Sequence, residues 1–547
     1  MSGDEDPRAD LRWGTVPRLV EDAADRHPDA EAVVDGDIRL TYGELAQATL
    51  DVTRGLMASG VARGDRVAIW APNSAQWIVA ALGVLGAGGI LVTLNTRFKG
   101  GEAAYILRAS GARTLFTVRG FLGVDYPALL EGEELGQLSD VVVLRDHAAV
   151  PSTDPAGVGP VRSLGDLVDA GSSVSVEAAV DRGRQVGPAD VSDLLFTSGT
   201  TGNPKGATST HAVSLRTFGT WASIVGLRAD DRYLVVNPFF HTFGYKAGIL
   251  ACLMTGATIL PEAVFDVDRV LETVASQRVS VLPGPPTLYQ SILDHPRRGD
   301  YDLRSLRLGV TGAAVVPVEL VEAMGDELGF DTVLTAYGLT ESCGTVTMCR
   351  RTDPPVLVAT TSGRAIPDLE VRVVGPEGEV ARGEPGEIVV RGYTVMDGYW
   401  NDLEATAAAI DAEGWLHTGD VGTMDPEGYV RITDRVKDMF VVGGFNAYPA
   451  EIEAMLRGSP AIAQVAVIGV PDERMGEVGC AFVVASSPAE AGPDLARELV
   501  EWSRSIMANY KAPRYVEFVE ALPVNAGGKV LKTELRRVFA ERRSMQG

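Results

Sequence analysis

The sequence predicts an α/β protein with a large N-terminal region of layered sheets and helices, divided into several subdomains, and a small α+β domain at its C-terminal end. Three observations favour this fold. The chain has 547 residues, which is enough for about three or four packing units. Short apolar runs alternate with helix-length segments, a pattern typical of parallel sheets with crossover helices. Near residue 434 this alternation changes to the pattern of a small mixed domain.

The first clear strand-helix-strand unit lies in the first hundred residues. Residues 67–70 have the pattern of a buried strand, residues 75–85 that of an apolar helix, and residues 90–92 that of a second strand. This order predicts a parallel pair joined by a crossover connection. The pattern recurs, and further strands are expected at residues 194–196, 233–236, 279–282 and 308–311. Most of the chain before residue 434 is therefore expected to be layered α/β structure.

A domain boundary is predicted in the short charged segment 434–438. The elements expected around and after it are strands at 429–432 and 439–442, a helix at 449–456 with proline in its first turn, a strand at 465–468, and a terminal helix after Lys532. These are enough for a small domain of about 110 residues. We therefore predict an N-terminal domain at residues 1–434 and a C-terminal domain at residues 435–547.

Composition and charge restrict the class of function. The formal net charge is −24, which argues against a nucleic-acid partner and against an anionic membrane surface. No run reaches the roughly 18 apolar residues of a spanning helix, and the N-terminal sequence lacks the order of a secretory signal. We expect a cytoplasmic protein with no membrane insertion. The four cysteines form no C-x-x-C pair, so they are expected to be reduced, buried and not zinc ligands.

Residues 197–206, Thr-Ser-Gly-Thr-Thr-Gly-Asn-Pro-Lys-Gly, follow the apolar run 194–196. Glycines allow backbone N–H groups to turn toward an anion, and hydroxyls and an ammonium add charge-assisted hydrogen bonds. The nucleoside-triphosphatase loop requires glycine before its lysine and a hydroxyl after it. Here Pro204 precedes Lys205 and Gly206 follows it, so this is a different kind of phosphate loop. A solvated turn is the alternative interpretation.

Four further segments accompany this loop: residues 337–341 (Tyr-Gly-Leu-Thr-Glu), 414–420 (Gly-Trp-Leu-His-Thr-Gly-Asp), 434–435 (Asp-Arg) and 525–529 (Asn-Ala-Gly-Gly-Lys). With the loop, and in this order, they resemble the adenylate-forming superfamily of acyl-CoA synthetases, luciferase-type enzymes and peptide-synthetase adenylation domains. The resemblance spans nearly the whole chain, from Leu94 to Lys529. It implies an AMP-forming acid–CoA ligase whose C-terminal domain is mobile.

The resemblance also implies roles at an ATP site. The loop would close over the β- and γ-phosphates and stabilise charge on the departing pyrophosphate. Thr340 and Glu341 would lie at the α-phosphate, and Glu341 would hold Mg²⁺, because a carboxylate is a hard oxygen ligand. Tyr337 would flank the adenine. The implied ATP-binding residues are Thr197, Ser198, Gly199, Thr200, Thr201, Lys205, Gly312, Ala313, Ala314, Tyr337, Asp420 and Arg435.

Each of these motifs also has a structural interpretation. Residues 337–341 could form a helix-capping turn, whereas the resemblance gives Thr340 and Glu341 catalytic roles. Asp420 and Arg435 could each be a turn residue or a member of a surface ion pair, whereas the resemblance makes both of them ribose ligands.

The resemblance implies a reaction in two steps. The carboxylate of an acid attacks the α-phosphorus of MgATP and expels pyrophosphate, and the thiol of CoA then displaces AMP. Lys529 would bridge the acid and the α-phosphate as a catalytic residue, and Lys437 would be the hinge for rotation of the C-terminal domain between the steps. Gly443 and Gly444 would approach CoA, although a plain turn has the same sequence. The implied cofactors and co-substrates are ATP, Mg²⁺ and CoA.

The implied acid pocket contains His241, Phe243, Gly338 and Cys343, together with Gly312 and the turn at 283–286. A packed core histidine is the alternative for His241. No charged partner for an amino-acid ammonium is evident, so a hydrophobic acid fits better. Residues 237–250 resemble those of actinobacterial acyl-CoA synthetases that act on propionate-bearing steroid ring fragments, which favours a bulky alicyclic or polycyclic acid of steroid or terpenoid type.

Two departures from the family pattern are visible: Thr93 stands where many relatives have proline, and Val524 where a basic or hydroxylated residue is common. Neither removes a reactive group. Rival hypotheses are an adenylating enzyme that passes its acyl group to a carrier protein or separate ligase, a luciferase-like oxidase, and a catalytically silent acyl-nucleotide binding protein. The last would be expected to lack Lys529 or Glu341, and both are present. A homodimer is a further hypothesis.

Overall fold

The structure is a computed structural model that describes residues 7–146, 158, 161–198, 203–312, 316–435, 439–523 and 530–544. The chain divides into two compact units. The first unit is formed by Met1–Thr96, Ala103–Phe196 and Gly206–Thr433, and the second by Arg97–Glu102, Thr197–Lys205 and Asp434–Gly547.

The elements within the described ranges are as follows. The α-helices are α1 Ala9–Arg12, α2 Val16–Arg26, α3 Tyr42–Ala58, α4 Ala75–Gly86, α5 Gly100–Ser110, α6 Leu164–Ala170, α7 Val176–Arg184, α8 His211–Val225, α9 Ala251–Thr255, α10 Val267–Gln277, α11 Pro286–Leu293, α12 Val318–Asp326, α13 Pro355–Thr360, α14 Leu403–Ala409, α15 Pro449–Leu456, α16 Pro493–Ile506 and α17 Lys532–Ser544. A π-helix spans Phe243–Leu250, and 3-10 helices span Pro127–Leu130, Gly171–Ser173, Arg298–Asp300, Thr340–Ser342 and Pro488–Glu490.

The strands are β1 Glu31–Asp35, β2 Ile38–Thr41, β3 Arg66–Trp70, β4 Ile90–Thr93, β5 Thr114–Arg119, β6 Asp140–Asp146, β7 Val161–Ser163, β8 Val191–Ser198, β9 Pro204–Thr210, β10 Arg232–Val235, β11 Thr258–Pro261, β12 Leu308–Gly312, β13 Thr332–Tyr337, β14 Thr347–Met348, β15 Arg364–Ala365, β16 Leu369–Gly375, β17 Gly378–Glu379, β18 Gly386–Gly392, β19 Leu416–Met424, β20 Val430–Arg435, β21 Phe440–Val442, β22 Phe445–Ala447, β23 Ile462–Asp472, β24 Gly476–Ala485 and β25 Tyr515–Phe518.

The predicted strand-helix-strand unit is present as β3, α4 and β4. Ser74 caps α4 by accepting a hydrogen bond from the backbone N–H of Trp77 at 3.1 Å. β3 and β4 pair in parallel within a sheet of order β7-β6-β5-β3-β4-β8-β9 in the described part of the chain. Almost every residue of α4 is buried, which explains why its sequence is apolar on all sides rather than on one stripe.

Two further sheets of the first unit are joined at one residue. Their strand orders are β10-β11-β1-β2 and β12-β13-β14-β15. Val281 bridges Tyr233 on one side and Leu308 on the other, both in parallel. The strand predicted at 279–282 is therefore present as a short connection between the two sheets, in which Ser280 N–H donates to the Arg232 carbonyl at 2.9 Å and Leu282 N–H to the Leu308 carbonyl at 3.0 Å.

An antiparallel sheet of order β17-β16-β18-β19-β20 completes the first unit. Its core contains Val373, Ile388, Val390 and Leu416, and Tyr337 from the end of β13 packs into the same cluster. This packing brings the segment that follows β13 next to β19, so two of the sequence motifs singled out above lie side by side.

The second unit contains a small α+β fold. Its sheet has the order β22-β21-β24-β23, and β25 pairs in parallel with β24. The predicted helix at 449–456 is α15, with proline at its first turn. Buried residues such as Phe440, Ile452, Val467 and Leu499 form a separate hydrophobic core. The predicted fold class, a large α/β region with a smaller α+β part, is confirmed.

Two features of the whole chain bear on the sequence predictions. Cys252, Cys343, Cys349 and Cys480 are all free and buried, as expected. In the ranges described, no helix is both long and apolar enough to cross a bilayer.

Candidate active site

The segment that carries Thr340 and Glu341 is a tight loop after β13. The strand ends at Tyr337, and a 3-10 turn spans Thr340–Ser342. The loop closes on itself, because the backbone N–H of Gly344 donates to the carbonyl of Leu339 at 2.7 Å. The side chain of Ser342 accepts from the backbone N–H of Leu339 at 3.0 Å. The capping turn that was the alternative interpretation is thus present, and it holds the side chains of Thr340 and Glu341 half-buried.

Tyr337 and Asp420 are in direct contact. The phenol of Tyr337 donates to Asp420 Oδ2 at 2.7 Å, and the two residues are only 7% and 2% exposed. The backbone N–H of Asp420 in turn donates to the hydroxyl of Thr418 at 3.1 Å. A buried carboxylate is costly unless it is hydrogen-bonded. The structure therefore joins the predicted adenine neighbour and the predicted ribose ligand in one hydrogen-bonded group.

Asp420 lies in an irregular stretch of β19. On the neighbouring strand β18, Glu387 pairs with Val421 and Val389 pairs with His417, so two steps along β18 correspond to four along β19. Gly419 has a φ of +70°, which a residue with a side chain rarely adopts. Such a bulge bends the strand and redirects a side chain, and bulges are common beside active sites. Gly419 thereby explains how Asp420 is turned toward β13.

Glu387 supports this bulge from the adjacent strand. Its Oε1 accepts from the backbone N–H of Gly419 at 3.0 Å, and its Oε2 lies 3.0 Å from His417 Nδ1. Asp411 is on the other side of the same ring. The hydrogen bond to Glu387 raises the pKa of His417 despite partial burial, and Asp411 adds to this increase. No pattern in the sequence indicates Glu387 or a role for His417.

Glu341 also has a partner that the sequence analysis missed. The phenol of Tyr399 donates to Glu341 Oε1 at 2.8 Å, and the backbone N–H of Met396 donates to the Glu341 carbonyl at 2.9 Å. Tyr399 is held by an antiparallel bridge to Ala207 on β9. Glu341 and Tyr399 are 58 positions apart in the sequence, and no periodicity links residues at that distance. The one local signal for a role of Tyr399 is the aromatic pair Tyr399-Trp400 after a glycine.

Gly312 is the last residue of β12, paired in register with Ala336. A Cβ on Gly312 would lie 2.8 Å from the Ala336 carbonyl oxygen, so the close approach of β12 and β13 requires glycine here. Ala313 and Ala314 lie outside the described residues.

The phosphate loop is described only at its two ends. Thr197 is half-buried, and β8 ends at Ser198. Pro204 and Lys205 begin β9. Gly199, Thr200 and Thr201 lie outside the described residues. The phosphate-binding role of this loop stays a prediction.

The structure describes only some of the remaining motifs near and within the predicted C-terminal domain. Lys437 and Lys529 lie outside the described residues, and Arg435 is the last residue of β20. Gly443 and Gly444 form a two-residue turn between β21 and β22, with φ of +55° and +86°. A two-residue hairpin turn with positive φ at both positions is enough to explain the two glycines. Their role toward CoA therefore stays a prediction. The domain boundary at 434/435 is likewise a prediction.

The predicted acid-pocket residues surround the π-helix. His241 comes just before it, and its Nδ1 accepts from the backbone N–H of Phe243 at 3.2 Å. Surrounding protein lowers the pKa of His241 through burial, yet the residue remains open to solvent. The ring of Phe243 lies edge-on to Trp221, with 6.2 Å between centroids.

Two further predicted pocket residues flank the loop after β13. A Cβ on Gly338 would lie 2.3 Å from the Gly344 carbonyl oxygen. Cys343 has a φ of +54° and is buried. Thr93, one of the departures from the family pattern, donates its hydroxyl to the Phe240 carbonyl at 2.8 Å. This bond fixes the segment just before His241, a function that proline could not perform. Val524 lies outside the described residues.

One carboxylate of this site has the chemistry to hold a magnesium ion. Mg²⁺ in nucleotide sites is held by one or two carboxylates, water and the phosphates, and it prefers hard oxygen ligands. Glu341 supplies such a carboxylate, held in place through Tyr399. No group of three or more His, Cys, Asp or Glu side chains suited to a metal occurs within the described ranges. The residues present therefore fit an ion held mainly by the nucleotide, with Glu341 as its protein ligand.

Comparison with known families agrees with this architecture. The profile of AMP-binding enzymes matches residues 20–400, and the profile of the AMP-binding enzyme C-terminal domain matches residues 451–529. The chain therefore belongs to the AMP-binding enzyme family. The predicted enzyme class, an AMP-forming acid–CoA ligase that uses ATP and CoA, is confirmed at the level of this family and its relatives.

Two curated relatives carry the same descriptive name, 3-[(3aS,4S,7aS)-7a-methyl-1,5-dioxo-octahydro-1H-inden-4-yl]propanoyl:CoA ligase. The protein from Rhodococcus jostii is 49% identical over 526 residues, covering 95% of this chain and 98% of its own. The protein from Mycobacterium tuberculosis is 49% identical over 529 residues, covering 97% and 99%. Among solved structures, an o-succinylbenzoate CoA synthetase from Bacillus subtilis is 26% identical with a TM-score of 0.76, covering 95% of this chain and 98% of its own.

Proposed function

We propose that this enzyme activates a bulky, ring-containing propanoic acid of steroid or terpenoid type and transfers it to CoA. The observation that carries the proposal is the 49% identity, over nearly full length, to two ligases named for a bicyclic indane propanoate. The aromatic rings support it, because Phe243, a predicted pocket residue, packs edge-on against Trp221 and gives this region a large apolar surface. Large apolar walls with few polar groups suit a ring system.

In the first step, a carboxylate oxygen of the acid attacks the α-phosphorus of ATP, the bond to the bridging oxygen breaks, and pyrophosphate leaves. Asp420 would accept hydrogen bonds from the ribose hydroxyls while the phenol of Tyr337 holds it in place. Glu341 would hold Mg²⁺, which neutralises phosphate charge when it is bound. Lys529, Thr340 and the hydroxyls of the 197–205 loop are proposed to contact the phosphates, with Lys205 as the cationic member.

In the second step, the CoA sulfur attacks the acyl carbon, the acyl–phosphate bond breaks, and AMP leaves with the electron pair while the thiol proton passes to solvent. We propose Lys437 as the hinge for domain rotation between the steps, with Gly443 and Gly444 lining the CoA approach. Arg435 would add a second ribose contact. A cytoplasmic location and a homodimer remain part of the proposal.

Acid-dependent exchange of pyrophosphate into ATP tests the first step. The acids to compare are linear, aromatic, steroid-derived bicyclic and diterpenoid acids, and addition of CoA followed by mass spectrometry tests the second. We expect exchange and thioester with the bicyclic acid at a kcat/KM at least tenfold above that of a linear acid. Equal or better use of linear acids would overturn the substrate class. Exchange without thioester would instead favour transfer to a carrier protein.

Lys529→Ala is the matched variant for this experiment. It should abolish exchange but still convert a supplied acyl-adenylate to the thioester, because only the first step places the lysine at the α-phosphate. Loss of both half-reactions would contradict the proposed division of roles.

A further inference from the structure

The π-helix places a lysine in the interior of the first unit. Lys246 is 1% exposed, and its Nζ lies 2.9 Å from Oδ1 of Asp193, which is 0% exposed. Nζ also donates to Cys343 Sγ at 3.5 Å. Burial alone would lower the pKa of Lys246, but Asp193 and Cys343 raise it to a net value above normal. The ammonium is therefore charged, and Asp193 balances its charge.

This buried pair is in contact with a residue that the sequence predicts in the acid pocket, Cys343. Lys246 is five residues after His241, another predicted pocket residue, and Cys343 follows directly on the Thr340–Ser342 turn that carries Glu341. The same loop contacts the segment before the π-helix, because a Cβ on Gly344 would lie 2.4 Å from Thr242 Cγ2. π-Helical turns are rare and occur frequently at functional sites.

Stability alone does not account for the pair. Replacing a buried ion pair by apolar residues of similar volume is often neutral or stabilising. An ammonium has three donors, and within the described residues Lys246 has two partners, Asp193 and Cys343. Among the residues that the structure describes, one N–H of Lys246 is therefore left without an acceptor.

Other buried polar atoms close to the pair also have no partner. Among the described residues this holds for the hydroxyls of Tyr245, Thr242 and Thr217. Tyr245 is close enough for Asp193 and Cys343 to raise its pKa, although burial is the larger cause. Thr217 lies three residues after Ser214 on α8, and Ser214 faces Cys343, with 4.0 Å between Oγ and Sγ. Unsatisfied buried groups in a native structure require an explanation, and a polar substrate atom would supply one.

We propose that Lys246, balanced by Asp193, determines acid specificity by donating a hydrogen bond to a neutral ring oxygen of the acid, such as a ring ketone. This inference rests on the proposed function, a ring-containing propanoic acid. The charge balance between Lys246 and Asp193 determines which kind of substrate oxygen can accept this hydrogen bond. Because Asp193 already neutralises Lys246, a second carboxylate would leave a net buried negative charge, whereas a ketone adds an acceptor without charge. The reacting carboxylate is therefore expected to bind elsewhere, at the phosphates.

The chemistry named for the two relatives matches this requirement. Their acid has a bicyclic ring with two oxo groups and a propanoyl side chain. A site built to hydrogen-bond a substrate oxygen rejects an analogue that lacks it, because the site's own polar groups are then left unpaired.

The test compares the dioxo bicyclic propanoic acid with two analogues in which each ring ketone in turn is replaced by methylene. We expect the wild-type kcat/KM for thioester formation to fall by about 10- to 100-fold for one of these analogues. In the variant K246M/D193N, which removes both charges together, this preference should fall below about threefold. The preference should fall because kcat/KM for the keto acid decreases, whereas kcat/KM for the methylene acid is retained.

The matched control is R119M/D125N, which removes a different buried ion pair, 3.0 Å long and outside the acid pocket. It should keep the wild-type preference for the ketone. An equal loss on keto and methylene acids in K246M/D193N would show that the pair is only structural and overturn the inference. A wild-type enzyme that uses all three acids equally would also overturn it, even if the double variant failed to fold. Wild-type turnover of linear acids only would instead contradict the proposed function.

Discussion

At the residue scale, the candidate site is built from pairs in which one side chain holds another. Tyr337 holds Asp420 by a 2.7 Å hydrogen bond, and Tyr399 holds Glu341 by one of 2.8 Å. In both pairs a phenol donates to a carboxylate that the proposed function uses. A phenol supplies such a donor without adding charge, so the carboxylate keeps its full negative charge for ribose hydroxyls or a cation.

The pair of Glu341 and Tyr399 leads to a graded prediction. Glu341→Gln should lower kcat for acid-dependent pyrophosphate exchange by about 100-fold or more, because an amide is a poor ligand for Mg²⁺. Tyr399→Phe, which removes only the hydrogen bond, should cost less than about tenfold, equivalent to roughly 1 kcal/mol. Exchange rates measured against Mg²⁺ concentration check both. An equally large loss in Tyr399→Phe would mean that the phenol itself contacts the nucleotide.

His417 gives the bulge of β19 a dependence on pH. Its pKa is raised in the folded protein by the hydrogen bond to Glu387, so it contributes stability below the ordinary histidine pKa of about 6.5. That contribution is lost as pH rises through the raised folded value. His417→Gln should therefore lower the melting temperature more at pH 6 than at pH 9. Scanning fluorimetry of this variant and of H417Q/E387Q checks it, and a pH-independent difference would contradict the assigned partner.

At the scale of elements, the loop after β13 depends on close backbone approach. Gly338 faces the carbonyl of Gly344, and an added Cβ would lie 2.3 Å from that oxygen. Contacts this short between a side chain and backbone force the backbone to move. The glycine that the sequence assigned to the acid pocket thus has a clear role in the packing of the loop that carries Glu341.

Gly338→Ala should therefore damage both stability and catalysis. We expect a loss of about 2 kcal/mol or more from steric overlap and at least a tenfold lower exchange rate, since Glu341 is three residues away. Gly299→Ala is the matched control, because nothing lies within 4 Å of its added Cβ. Urea unfolding monitored by fluorescence measures the stability. Near-normal stability in Gly338→Ala would contradict the close approach of the two glycines.

The elements also show which features a sequence can predict. The unit of β3, α4 and β4 was predictable because these elements are almost completely buried and their sequences are nearly continuous apolar runs. The strand at 279–282 was only partly right, because this segment forms a short connection centred on Val281, with backbone hydrogen bonds to the strands on both sides. The motif residues Tyr337, Glu341 and Asp420 were found through resemblance. Their partners Tyr399 and Glu387 were not, because contacts between distant segments leave no local pattern.

At the scale of the whole molecule, the two units have separate hydrophobic cores. Ile452 of α15 lies in the core of the second unit, whereas Ile78 of α4 lies in the first, and both are 0% exposed. Separate cores allow separate cooperative transitions, which is the usual behaviour of multidomain chains.

Paired cavity variants test this separation. Ile452→Ala and Ile78→Ala should each cost about 2–5 kcal/mol, but in different units. In scanning calorimetry, Ile452→Ala should lower one transition by at least about 5 °C and leave the other unchanged. Ile78→Ala should lower the other transition and leave the first one unchanged. A shift of the same single transition in both variants would show that the chain unfolds as one cooperative body.

The four buried cysteines make the enzyme convenient to assay. Burial raises the pKa of Cys252, Cys349 and Cys480, and a thiol that is both shielded and protonated reacts slowly with disulfide reagents. In a reaction mixture containing native enzyme, CoA therefore supplies the reactive sulfhydryl, and its disappearance in a colorimetric titration reports thioester formation directly. The same reagent would register the protein's own cysteines only after denaturation, so one cuvette can follow turnover and loss of the native state together.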